Sequence, residues 1–116
     1  RSFVFTTALP APVVAAASAA IRVASEDSSL RRRLFEHVEW MATTLDRPLS
    51  GPIVPIVYGS ESATLTASAQ LLAAGFHASA IRPPTVPEGT CRLRVTLSAA
   101  HSRRDLQQLV AALPTP

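Results

Sequence analysis

The stretch IRPPTVPEGTCRLRVTLSAAH, residues 81–101, gathers Arg82, Arg92 and Arg94 around a proline-rich turn and an alternating run. Arginine carries a rigid fork of N–H donors that matches a carboxylate two bonds at a time. It is costly to bury without a partner, so three of them beside a strand are either solvated or placed for an anion. In an extended run, Cys91, Leu93, Val95 and Leu97 take one face while Arg92, Arg94 and Thr96 take the other. That alternation describes a solvated outer face as readily as an anion site, and spacing alone leaves both open. The prolines of RPPTVPEG fix the backbone around Arg82 and Thr85, which prepares a site or simply joins two strands.

Other side chains carry weaker signals. Thr6 and Thr7 are adjacent hydroxyls on an opening segment, able to hydrogen-bond a phosphate but not specific to one. His101 sits at a helix entry with no acid placed beside it, so a surface or capping role competes with that of a base. No pair among His37, His77 and His101 has metal-ligand spacing. Cys91 falls on the apolar face of its strand, where it reads as an inert core thiol. YGSES, a strand leading through glycine into a helix start, lacks the glycine pattern of a phosphate loop and reads as a turn. All eleven basic residues are arginine. With no lysine, these residues alone have no side-chain amine for Schiff-base chemistry.

The elements that would position these groups follow from pattern. RSFVFTTALP reads as a short extended piece, Ser2 to Thr7, stopped by Pro10 and Pro12. VVAAASAAIRVASE is an alanine-rich helix with a proline near its first turn. After a polar break at Ser25–Ser29, Leu30, Leu34, Phe35, Val38, Met41 and Leu45 recur at helical spacing. DRPLSGP ends that helix. IVPIVYG (53–59) is a β-branched run in which Pro55 signals an edge strand or a bulge. Ser60 can cap the next helix, which closes at Gly75. FHASAIR (76–82) and CRLRVTL (91–97) read as strands. A last helix spans about 102–112, with Ser102 and Asp105 in a capping pattern, and PTP reads as a frayed tail. The expected fold class is α+β: a small antiparallel-type sheet of about three strands with helices on one face, preceded by a connecting helix. Residues 1–26 would be the extended segment and connector, and 27–116 the small domain.

Bulk properties narrow the classes. A chain of 116 residues, 47% hydrophobic and 16% charged, has room for one core and is not disordered. The net charge of +3 invites a nucleic-acid reading, but the arginines are scattered and aromatics make up 5% of residues, too few for a stacking platform. The lone cysteine fits a reducing, cytoplasmic setting. No apolar run is long enough to cross a bilayer, and the start lacks the pattern of a signal peptide.

FTTALP, AIRPPTVPEGT and RLRVTLSAAH, in this order and separation, resemble the C-terminal part of the α-oxoamine synthases. These are pyridoxal-phosphate enzymes of the aspartate-aminotransferase fold type. The resemblance covers Phe3 to about Leu113, and IRPPTVP is most similar to the branch that makes 8-amino-7-oxononanoate for biotin. It implies a homodimeric acyltransferase that joins L-alanine to pimeloyl-CoA, or the carrier-protein thioester, with loss of carbon dioxide. By the resemblance, Arg94 matches the arginine that holds the amino-acid carboxylate and Thr85 a substrate-contacting threonine. Arg82 matches an arginine contributing substrate-side electrostatics. Thr6 and Thr7 match a segment near the cofactor phosphate, contributed by the partner subunit. Arg92 has no catalytic counterpart. The family's cofactor lysine lies upstream of the matching region, so these residues alone are expected to be inactive, with the large domain missing. The competing reading is a non-catalytic α+β module that binds a small carboxylate or a protein partner.

Overall fold

The computed structural model describes residues 7–116. In chain order it contains α1 (Ala11–Glu26), α2 (Ser28–Thr44), β1 (Ile53–Gly59), α3 (Glu61–Ala73), β2 (Ser79–Ile81), β3 (Cys91–Thr96) and α4 (Arg103–Ala112). The expected order of helices and strands is the order found. The chain divides into two contact units, Arg1–Arg32 and Arg33–Pro116.

In the second unit, β3 is the central strand of an antiparallel sheet ordered β1-β3-β2. Its alternation settles the layers. Cys91, Leu93 and Val95 are buried, while Arg92 is half-buried and Arg94 and Thr96 are exposed. Pro55 cannot donate to a ladder, and β1 accordingly lies at a sheet edge, with a register irregularity between Val57 and Gly59. The edge-strand expectation for that proline holds, whereas the irregularity falls beyond it and Pro55 itself pairs in register with Arg94. The expected strand at 76–82 shrinks to Ser79–Ile81, because Gly75 and Phe76 are used to end α3.

The apolar face of the sheet packs on the helices. Val38 and Met41 of α2, Ala67 and Leu71 of α3, and Leu106 and Leu109 of α4 join Val54, Ile56, Leu93, Val95 and Leu97 in one cluster. Each fully buried aliphatic side chain contributes about 1.5–3 kcal/mol of transfer free energy. Of the stripe expected on α2, Leu30 and Phe35 remain exposed.

Helix ends are set by local hydrogen bonds. The Ser60 hydroxyl accepts from the Ala63 N–H at the start of α3. Ser102 and Asp105 form a reciprocal capping box on α4. At the end of α3, Gly75 takes φ +89° while Gly75 N–H donates to Leu72 and Phe76 N–H to Leu71. That pair of bonds is a Schellman closure, for which glycine is the least strained residue. Two expectations are corrected. The break between α1 and α2 is Asp27 alone, not Ser25–Ser29, since Asp27 accepts from the Ser29 N–H and α2 begins at once. The C-terminal tail is tied rather than frayed at Pro114, whose carbonyl accepts a 2.7 Å bond from the Tyr58 hydroxyl. Burial raises the Tyr58 pKa above the ordinary phenol value.

In the first unit, α1 buries none of its residues and presents Val13, Val14, Ile21 and Val23 to solvent.

Candidate functional site

The site begins on the open face of the sheet. Antiparallel register puts Arg94 between Pro55 of β1 and Ser79 of β2, and Arg92 between Val57 and Ile81. Arg92 is held by its Nε, which donates to the Thr90 carbonyl at 2.9 Å. Arg94 makes no side-chain hydrogen bond or ion pair with the described residues, and it is exposed.

Both arginines line a cleft of about 490 Å³. That volume is within the range of roughly 300–1,000 Å³ common for small-molecule sites. Ile53, Pro55 and Ile81 supply apolar walls from the sheet, and Thr85 reaches it from the proline turn. Thr85 is set by its own N–H, which donates to the Arg82 carbonyl at 3.0 Å. Ile53, 58% exposed, gives the cleft a greasy wall on a sheet face that strand alternation would otherwise make polar. Among the described residues no aspartate or glutamate lines the cleft.

A third arginine, Arg47, enters the cleft from the loop before β1. Sequence reading took DRPLSGP only as a helix terminator. The terminator is itself a Schellman closure: Asp46 takes φ +48°, Asp46 N–H donates to Thr43, and Arg47 N–H donates to Ala42. Aspartate tolerates the left-handed region better than most residues, so no glycine announces this end. The signal that could have found Arg47 is the Arg-Pro dipeptide, which recurs at Arg82-Pro83 beside the same cleft.

The remaining candidates lie elsewhere. Arg82 does not line the cleft; its Nη1 meets Glu61 at 2.5 Å, with both side chains about half exposed. It ties the proline turn to the first turn of α3. Thr7 is exposed in the first unit, and Thr6 lies outside the described residues. His101 serves structure: its Nδ1 accepts from the Ser98 N–H and its carbonyl lies 3.0 Å from His37 Nε2. Cys91 is buried. Among the described residues no group of three or more His, Cys, Asp or Glu is placed to hold a metal ion, and no helix is long and apolar enough to cross a membrane.

Chemically, the cleft is a cationic pocket with an apolar wall. It can hold an acid group and a short hydrocarbon portion. Among the described residues its lining has no histidine, cysteine or carboxylate, and its hydroxyls are those of Ser50 and Thr85.

Comparison with known proteins bears on the family and the fold. A family model described as aminotransferase class I and II matches residues 1–113. A protein named 8-amino-7-oxononanoate synthase from Arabidopsis thaliana is 48% identical over 113 residues, covering 97% of this chain and 24% of the relative. One of the same name from Maricaulis maris is 49% identical over 114 residues, covering 97% and 29%. A solved serine palmitoyltransferase from Sphingomonas wittichii superposes with a TM-score of 0.86 at 26% identity, over 93% of this chain and 29% of that one. A structure described as SPT with PLP gives 0.85 at 27% identity, over 93% and 30%. The chain thus spans about a quarter to a third of the length of the proteins it matches.

Proposed function

The chain belongs to the aminotransferase class I and II family, and on that premise we propose that it is the carboxylate-gripping part of a pyridoxal-phosphate-dependent α-oxoamine synthase. The reaction joins L-alanine to a pimeloyl thioester, releasing carbon dioxide and the thiol and leaving 8-amino-7-oxononanoate, a biotin precursor. The observation that carries this reading is Arg94: central in the sheet, exposed to the cleft, and without a side-chain partner among the described residues.

The residues described do not fit a complete pyridoxal phosphate site. The chain has no lysine to anchor the cofactor, and its cleft offers cations without an acid to face a pyridine nitrogen. When bound, the cofactor supplies an electron sink; in this reading its anchor is contributed by a large domain of the whole enzyme. This chain's residues bind and orient. The Arg94 guanidinium receives the alanine carboxylate through paired N–H donors, fixing which way the amino acid faces. Thr85 donates its hydroxyl to the same ligand. Arg92, anchored on Thr90, holds the field positive. Arg82 acts through Glu61, keeping the proline turn and hence Thr85 in place. Thr6 and Thr7 approach the cofactor phosphate from the other subunit of a homodimer. The uncovered apolar side chains of α1 support a connector that packs against that large domain.

Calorimetric titration of the protein with L-alanine tests the reading. A charge-assisted bond is worth about 1.5–3 kcal/mol, so R94Q should weaken binding at least tenfold; unchanged affinity contradicts the grip. Pyridoxal phosphate added to the 116-residue chain should produce no imine absorption band, and a band with turnover overturns the division of labour.

A further inference from the structure

One amino-acid carboxylate needs one guanidinium, yet three line the cleft and, among the described residues, no acid balances them. Arg47 is the informative one. Its Nε and Nη2 are buried and have no hydrogen-bond partner among the described residues. Those two nitrogens form the side of the guanidinium that grips a carboxylate in two parallel bonds. Donors withdrawn from water without an acceptor are rare and costly in native proteins. Arg47 also borders a second hollow, with Leu45, Ile56 and Val110, and no acidic side chain lines that one either. Its backbone is fixed by the Schellman closure of α2 and by Pro48. A long flexible side chain left to solvent would need neither constraint.

The same cleft is also lined by hydrocarbon surfaces, Leu49, Ile53 and Ile81. Cations and apolar walls lining one cleft suit a ligand that carries both acid groups and methylenes. We propose that Arg47 is a second anion-binding residue of the cleft, receiving the terminal carboxylate of a methylene-chain acyl group. The thioester partner in the proposed reaction is then selected for carrying a free acid at its far end. The inference rests on the proposed function for the identity of that partner, but not for the existence of the second grip.

Pimelate and heptanoate have equal length and differ by one carboxylate, so calorimetry of the protein with each isolates the second grip. Pimelate should bind at least tenfold tighter than heptanoate. R47Q should bring pimelate down to the heptanoate level and leave heptanoate within twofold, whereas R47K, which keeps the charge but loses the fork, should retain only part of the preference. Equal or immeasurable affinities of the two acids for the unsubstituted protein overturn the proposal without any variant. So does an R47Q protein that keeps the tenfold preference. If R94Q leaves the affinity for both alanine and heptanoate unchanged, the Arg94 grip fails, while the pimelate preference and its loss in R47Q still support Arg47.

Discussion

At residue scale, the proposed grip divides its work between charge and hydroxyl. In it Arg94 supplies a charged donor and Thr85 a neutral one, and a neutral hydrogen bond contributes about 0.5–1.5 kcal/mol. T85V should therefore weaken alanine binding between twofold and tenfold, well short of the effect of R94Q. Equal losses for the two variants, measured by calorimetry, contradict that division. Arg94 was legible because a strand's two-residue period fixes the face of every side chain once one face is apolar. Arg47 was not, because a loop has no period and its direction depends on where Asp46 turns the chain. Arg82 was readable as a cation near the site, but its distance partner Glu61 comes from another element, and sequence spacing carries no such information.

At element scale, β3 holds the site and the core back to back. Leu93 is fully buried opposite Arg92 and Arg94 on the same strand. L93A should cost about 2–5 kcal/mol by chemical denaturation, and a loss under 1 kcal/mol contradicts its central position. The capping box of α4 makes a pH-linked prediction. Hydrogen bonds from the Ser102 side chain and backbone hold the Asp105 carboxyl below its ordinary pKa, with a smaller contribution from nearby His101 and Arg104. A depressed folded pKa stabilises above the ordinary carboxylate value and loses that contribution as pH falls through the folded value. S102A should move the Asp105 titration upward by NMR; an unmoved titration contradicts the capping assignment. The box itself was readable from Ser102 and Asp105 three residues apart. The short span of β2 was not, because the Schellman closure at Gly75 takes Phe76 out of the strand, and that competition is decided by packing. Tyr58 tying the tail at Pro114 is likewise a contact between distant segments.

At the scale of the molecule, two contact units serve different ends. Unit 33–116 holds the core, the sheet and the cleft, whereas α1 buries nothing. I21E should therefore leave the unfolding free energy of the core within about 0.5 kcal/mol, as for exposed positions generally. A larger loss by denaturant titration contradicts the reading of α1 as a connector. The cationic cleft on the sheet's open face and the exposed apolar side chains of α1 both support the proposed reading of these residues as part of a larger synthase.

The most direct measurement follows the Arg94 side-chain N–H resonances by NMR during titration with L-alanine and, separately, with L-alaninamide. The two differ only in the acid group. A saturable shift with alanine and none with the amide is the result expected of a carboxylate grip. Matching shifts with both, or no shift with either, contradict it.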